Sequence, residues 1–306
     1  MIYCSLQNSE MIDFLEFPLL VVAHDAGAAN HIIAWLKGCD DQGIDAYIEG
    51  PAARLWAQSF PARSSLSLTE AISRSSMLLT GTGWESSLEH DARKLARSAG
   101  LKSAAVIDHW LNYKKRFVRY GEEVLPDEIW VVDEHAKKLA DEIFSGLTIR
   151  QLPNTYLDHQ VAEIRQFEKC QSKGYRANVL YVLEPIRQAW GNGETPGEFQ
   201  ALEFFIEKMA SLGLDEEAAI RLKPHPSDPV GKYDRWMRSQ SRRDISVDMS
   251  SSLAELIAWS DMVIGCQTYA MVIAIAAGKR VVSSIPPWAP SCVLPQPEII
   301  RLSELV

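Results

Sequence analysis

The sequence has no surplus of positive charge. Its 31 Lys and Arg face 40 Asp and Glu among 306 residues, a formal net charge of −9. A chain so balanced has no general attraction for nucleic acid or anionic lipid, so nucleic acid is not an expected partner. Cysteine is sparse: Cys4, Cys39, Cys170, Cys266 and Cys292 are odd in number and form no C-x-x-C pair. That argues against a disulfide frame or a zinc knuckle and for a reducing, cytoplasmic setting. No apolar run reaches the ~18 residues that span a bilayer. The first twenty residues carry Glu10, Asp13 and Glu16 in place of a basic start followed by an apolar segment. The expectation is a soluble cytoplasmic protein with no transmembrane segment, compatible with peripheral membrane contact.

Missing motifs narrow the chemistry further. There is no G-x-x-x-x-G-K-[ST] loop, "GTGWES" (81–86) does not complete G-x-G-x-x-G, and "GWESS" is not G-x-S-x-G. Phosphate-loop kinases, dehydrogenases and α/β-hydrolases therefore lose their best cues. No D-x-D, H-E-x-x-H or Cys/His cluster is present, so no metal and no cofactor is expected. His24-Asp25 and Asp108-His109 are adjacent pairs that follow strand-like runs, not the helices that a helical metal phosphohydrolase requires.

What is there is a repeated alternation of short apolar runs and amphipathic stretches. "FPLLVVAHD" (17–25) reads as a strand, "AGAAN" as a tight loop and "HIIAWLKG" as a helix. "AYIEG", "SMLLTGTG" (76–83), "KSAAVIDHW" (102–110) and "DEIWVV" continue the strands, with helical segments between. From 178 a second series begins with "NVLYVLEP", "AAIRLKPHP", "ISVDM", "DMVIGCQ" and "KRVVSSIPP". Alternation of this kind predicts βαβ units and parallel sheets. The expected fold class is α/β, with two Rossmann-like parallel-sheet domains facing a cleft: residues 1–152, a connection at 153–176 built on one polar helix, and residues 177–306. The closing "PQPEIIRLSELV" is expected to be a short helix crossing back to the first domain.

In such sheets ligands collect beyond the carboxyl ends of the strands, so residues at those ends are the candidates. "IRLKPHPSD" (220–228) ends a strand in Lys223 and in His225, whose flanking Pro224 and Pro226 limit its backbone; a cation and an imidazole there suit a phosphate. Thr268, just beyond Gly265 and Gln267, is placed to cap a helix whose free N–H groups would favour an anion. Ser250, Ser251 and Ser252 precede another apolar helix, with Glu255 in capping-box spacing from Ser252; hydroxyls left over would suit a ribose. Glu184 ends the first strand of the second series and could meet the sugar or ribose. In the first half Asp25 ends a strand beside Gly27, which permits close approach of a ligand. Asp108 ends another strand, Glu85 follows a Gly-bearing turn, and Trp84 and Trp110 stand close enough to these loops to stack on a sugar or base.

The run K-P-H-P, then S-S-L-x-E-L-I-x-x-S-D-x-V-I-G, then G-K-R-V-V-S resembles the nucleotide-binding domain of GT-B glycosyltransferases over roughly residues 178–286. It is most similar to the bacterial sialyltransferase, polysialyltransferase and Kdo-transferase group, which uses CMP-activated sugars. The resemblance implies that His225-Pro226 contacts the donor phosphate and that Gln267-Thr268 stands where that group carries a Ser/Thr motif, although this chain reads Cys266-Gln267-Thr268 there. It also implies a carboxylate base at Asp108, followed by Asn112, Tyr113 and Arg116, with His109 and Trp110 in place of a second acid and a glycine. The expected activity is transfer of a sugar from a nucleotide-activated donor, CMP-sugar favoured, to a glycan or lipid-linked acceptor. The expected setting is surface polysaccharide or glycoconjugate synthesis, and the reaction inverting and metal-independent. Asp108 is the first candidate to deprotonate the acceptor and Asp25 the next. A UDP-N-acetylhexosamine 2-epimerase-like or nucleotide-sugar hydrolase activity, or a nucleotide-sugar-binding protein without catalysis, are the alternatives.

Overall fold

The computed structural model describes residues 14–37, 39, 43–60, 67–169, 176–187, 189–191, 193–240 and 244–306; Cys4 and Cys170 lie outside them. The chain forms two compact units, Met1–Tyr156 and Leu157–Val306.

The first unit runs β1 (Leu19–Ala23), α1 (Ala26–Leu36), β2 (Ile44–Ile48), α2 (Gly50–Ser59), α3 (Leu68–Arg74), β3 (Met77–Thr80), α4 (Leu88–Ala99) and β4 (Lys102–Val106). A small hairpin, β5 (Val118–Arg119) and β6 (Glu122–Glu123), precedes β7 (Glu128–Val131), α5 (Glu134–Ile143) and β8 (Thr148–Gln151). The six main strands lie in the order β2-β1-β3-β4-β7-β8, all parallel. The uninterrupted apolar run of β1 has a direct reason. Leu19, Val21 and Ala23 pack on one face with Ile32, Trp35 and Leu36 of α1, while Leu20 and Val22 pack on the other with Ala71, Ala92 and Ala96. A strand covered on both faces has no polar side to alternate.

α6 (Thr155–Glu168) contains the boundary between the units. The second unit continues through β9 (Asn178–Val182), α7 (Gly197–Lys208), β10 (Ala219–Lys223), α8 (Asp234–Ser239), β11 (Ile245–Val247) and α9 (Leu253–Trp259). It closes with β12 (Met262–Gly265), α10 (Tyr269–Ala276), β13 (Arg280–Ser283) and β14 (Ile300–Arg301). The sheet order is β11-β10-β9-β12-β13-β14, again all parallel. Renumbered within the unit this is 3-2-1-4-5-6, the doubly wound Rossmann order.

Two local expectations change. "AGAAN" is the first turn of α1, because small residues there let the helix start directly from Asp25. The last segment is no crossing helix: Ile300 and Arg301 pair with Val282 and Ser283 as the edge strand of the second sheet. Pro295 and Pro297 keep its approach out of helical geometry, and buried Leu302 fastens it. The strand β8 and the short helices α3 and α8 carry too little apolar periodicity to stand out. Among the described residues no helix is long and apolar enough to cross a membrane.

The loop after β3 is held by arginines. Arg93, 1% exposed, donates to the Gly81 carbonyl and the Thr80 hydroxyl, and its Nε to the Val124 carbonyl. Arg116 donates to the Thr82 carbonyl and hydroxyl, and Arg119 to the carbonyls of Gly83 and Ser86. Removing the buried guanidinium strands two carbonyls. Arg93→Met is expected to cost about 2–4 kcal/mol of folding free energy, read as a lower urea midpoint; an unchanged midpoint would mean that the loop is held by other contacts.

Candidate functional site

In the second sheet the winding reverses between β9 and β12, and the crevice beyond their carboxyl ends is where doubly wound sheets take ligands. The Leu183 N–H donates to the Lys223 carbonyl at 2.9 Å, which sets the ends of β9 and β10 level and brings Glu184 alongside Pro224 and His225. The loop beyond β10 is built on Asp228. Its carboxylate accepts the His225 N–H (3.3 Å), the Tyr233 hydroxyl (2.9 Å) and Lys232 Nζ (2.6 Å), and Lys232 also pairs with buried Glu198 at 2.6 Å. His225 Nδ1 accepts the Ser227 N–H (3.2 Å) and lies 2.8 Å from the Ser227 hydroxyl. A nitrogen that accepts an N–H bond carries no proton, so the neutral ring holds its proton on Nε2. Pro226 is exposed beside it.

The other sequence candidates in this unit have structural partners. Lys223 Nζ donates to the Ser251 carbonyl at 2.7 Å, joining the end of β10 to the serine segment. Ser251 gives its N–H and hydroxyl to Asp248 (2.8 and 2.9 Å), and the Ser252 hydroxyl accepts the Glu255 N–H (3.1 Å) to cap α9. Burial opposes ionisation of Asp248, but the Ser251 and Ser250 bonds outweigh it and hold the carboxyl below its ordinary range. Thr268 caps α10 by accepting from the Ala270 N–H at 3.4 Å.

Glu184 lies where the sequence places an anion. Its Oε2 accepts the Gln267 N–H at 2.5 Å, and the Cys266 N–H also bonds the carboxyl. The amides that lead into α10 are thus occupied by a carboxyl of the chain itself. Burial pushes Glu184 up to about 7, and the two amide bonds oppose this only in part. Tyr181 and Cys266 beside it are raised by burial and stay neutral through the same range. The Gln267 side chain accepts the Val293 N–H at 3.3 Å.

In the first sheet the reversal falls between β1 and β3. There the His24 N–H donates to Glu89 Oε1 at 2.9 Å, and His24 Nδ1 lies 2.8 Å from Asp25 Oδ1. Glu89 is 1% exposed; burial raises its pKa, and the charge of Asp25 adds to this. Asp108, beyond β4, pairs with Arg116 at 2.8 Å. Asn112, at φ +60, turns the chain so that Arg116 returns to that carboxylate; Asn tolerates this conformation better than most residues. Burial opposes ionisation of Asp108, but Arg116, His109 and His31 together outweigh it and hold the carboxyl below its ordinary range. Both aspartates rest on glycines: a Cβ on Gly27 would fall 1.7 Å from Asp108 Oδ2, and one on Gly83 2.1 Å from Asp25 Oδ2.

Asp25, Gly27 and Asp108 are therefore brought together at one sheet edge, as are Glu184, Lys223, His225 and Gln267 at the other. Glu85 is exposed and makes no hydrogen bond or ion pair among the described residues. Trp110 is buried, its Nε1 donating to Asp133 at 3.2 Å, so its ring is part of the core; Trp84 is 48% exposed, with the Arg116 guanidinium 5.1 Å from its ring centroid. Sequence reasoning passed over Glu89, which lies on a helix without a motif, and over Asp228 and Lys232, whose i, i+4 spacing after His225 was the available signal. Among the described residues no group of three or more His, Cys, Asp and Glu side chains could hold a metal ion.

Two doubly wound parallel-sheet units of this kind define a GT-B-like fold. No protein-family model matches the sequence, and no curated protein does. Among solved structures the chain is similar to the UDP-GlcNAc 2-epimerase from Neisseria meningitidis bound to UDP-GlcNAc, at 13% identity over 87% of this chain and 82% of that one, TM-score 0.58. It is also similar to the UDP-N-acetylglucosamine 2-epimerase from Rickettsia bellii (9% identity, 87% and 78% covered, TM-score 0.56) and to the glycotransferase of kitacinnamycin (13%, 92% and 85%, TM-score 0.51). At these identities the likeness is one of fold.

The raised Glu184 carboxyl has a signature in stability. Between its ordinary value of 4.5 and about 7 the folded chain keeps a proton that the unfolded chain has lost. Its contribution to stability therefore declines as pH rises through that window and is level above it. Glu184→Gln is expected to remove this decline, seen by comparing urea midpoints of the two proteins at pH 5 and pH 7.5; parallel pH profiles would show that Glu184 titrates normally.

Proposed function

We propose that the chain is a glycosyltransferase that moves a sugar from a nucleotide-activated donor to a glycan or lipid-linked acceptor. The donor is favoured to be a CMP-sugar over a UDP-sugar, and the reaction is inverting and metal-independent, serving surface polysaccharide or glycoconjugate synthesis. The observation that supports this best is His225. Its ring is oriented by Ser227 so that Nε2 carries the proton, at the end of β10 and next to the crevice of a 3-2-1-4-5-6 sheet. An N–H donor at that place, with the Lys223 charge behind it, suits negative charge gathering on a leaving phosphate. Asp108 at the end of β4, or failing that Asp25 at the end of β1, deprotonates the acceptor. The resemblance of the K-P-H-P segment to CMP-sugar enzymes supports the choice of base.

A second reading has its own support. The chain shares its fold with UDP-GlcNAc 2-epimerases; an epimerase would return a UDP-sugar inverted at C2, and a hydrolase would use water to release nucleotide and free sugar, neither with an acceptor present. Transfer to an acceptor separates the two.

A nucleotide panel tests the donor class. CMP or CDP at 100 times its dissociation constant should add ~2.7 kcal/mol to the folded state, raising the melting temperature where UDP does not. His225→Ala is expected to abolish the shift. An undiminished shift in that variant would put the phosphate elsewhere, and a shift with UDP alone would favour the epimerase reading.

A further inference from the structure

One charge on the second sheet lies where a covered strand would be apolar. β10 reads Ala-Ile-Arg-Leu-Lys. Ile220 and Leu222 enter the core with Ile245 of the neighbouring β11, so the alternation of side chains turns Arg221 to the opposite face. There the strand register sets it beside Ser246 of β11, the edge strand of the sheet. The guanidinium lies over the Trp259 ring at the end of α9, 4.2 Å from its centroid, a contact that steadies it. Among the described residues Arg221 makes no hydrogen bond. Its one ion-pair partner among them, Asp248, is 3.8 Å away, and that carboxylate already accepts bonds from Ser250 and Ser251. A mid-strand guanidinium with its donors unspent is the feature to explain.

Arg221 and Ser246 line a groove of about 490 Å³ together with Ala219, Asp244, Trp259 and Arg176. Most of its lining comes from the amino-terminal parts of β10 and β11 and from just before β9, so the groove is separate from the crevice beyond the carboxyl ends of the strands. Ser246 is exposed, and its hydroxyl has no partner among the described residues. Arg176 makes one bond, to Asp244 at 3.2 Å, with both side chains about half exposed; water screens such a pair, and an incoming anion can open it. Arg176, Arg221, Asp244 and Asp248 carry no net formal charge between them. Recognition here therefore works through directed N–H and O–H donors and not through attraction at a distance.

We propose that this groove binds a phosphate monoester of a small molecule, at a site separate from the donor crevice and independent of the glycosyl-transfer reading. The planar fork of Arg221 matches two phosphate oxygens, and Ser246 and Arg176 supply donors for the third. A carboxylate has only two oxygens and would leave one of the three donor groups unused. The groove lies within the about 300–1,000 Å³ that small-molecule pockets span, which leaves room for the organic part of the ester along the Trp259 side. Binding gives the Arg221 donors the acceptors that the chain itself does not provide.

Nitrogen-15 NMR of the tryptophan indoles tests this on the full chain, with Trp259→Phe used to assign the Trp259 signal. Glucose 1-phosphate, inorganic phosphate and glucuronate are titrated separately. Glucose 1-phosphate should move the Trp259 signal to saturation, inorganic phosphate should do so at higher concentration, and glucuronate should bind more weakly than glucose 1-phosphate. Arg221→Met should weaken glucose 1-phosphate at least ~tenfold, the effect of losing a charge-assisted bond, and Ser246→Ala about threefold. Methionine suits a strand that is otherwise apolar at this point, and Ser246→Ala, at an exposed position, keeps the test decisive should the methionine variant melt early. His225→Ala should leave the Trp259 titration unchanged, because the donor crevice is a different place. The absence of a saturable shift, a titration that Arg221→Met and Ser246→Ala leave unaltered, or a shift that His225→Ala removes would overturn the site. Glucuronate binding as tightly as glucose 1-phosphate would overturn the choice of phosphate over carboxylate, and inorganic phosphate binding as tightly would overturn the monoester.

Discussion

Parallel pairing is the constraint on which the rest of this molecule depends. With all strands of a sheet pointing one way, every carboxyl end and nearly every following helix start emerges on one edge. Each reversal of winding then opens a crevice on that edge, between β1 and β3 in the first unit and between β9 and β12 in the second. His24, Asp25 and Asp108 are near neighbours for this reason, although β1 and β4 are far apart in the chain. The same holds for Glu184, His225 and Gln267. Burial of both sheet faces by helices leaves the edge as the place where polar side chains can gather without a large desolvation cost.

Four carboxyl groups of similar intrinsic acidity meet four different surroundings at these edges. Asp108 is anionic beside Arg116, Asp25 orients an imidazole, Glu89 is buried on a backbone amide, and Glu184 occupies the amides at the start of α10. Burial drives Glu89 and Glu184 upward while cations drive Asp108 downward. Environments that push like groups apart are the usual basis for dividing acid, base and structural roles within one site. The two histidines show the same division: a carboxylate beside Nδ1 and a backbone amide beside Nδ1 select opposite tautomers.

Much of this was legible before any coordinates. The apolar runs LLVVA and NVLYV announce doubly covered strands, and the turns after these two locate Asp25 and Glu184 as those after KSAAV and AIRLK locate Asp108 and His225. The serine and threonine caps at Ser252 and Thr268 follow from local spacing, since a cap involves residues only a few positions apart. What was not legible depends on distant residues. Trp110 reads as an exposed loop aromatic but is drawn into the core by Asp133. Ser251 reads as a spare hydroxyl but is consumed by Asp248. Lys223 reads as an isolated cation but is tied to the Ser251 carbonyl.

The alternation of strands and helices, the two-unit organisation and the residues at the ends of the apolar strands were determined by sequence alone, because periodicity and turn chemistry act over short stretches of chain. Which amide, guanidinium or ring each of those residues meets was decided only by the tertiary structure. Hydrogen bonds and charge interactions act across a few ångströms of space, and the separation of Glu184 from Gln267, or of His24 from Glu89, along the chain carries no record of that proximity.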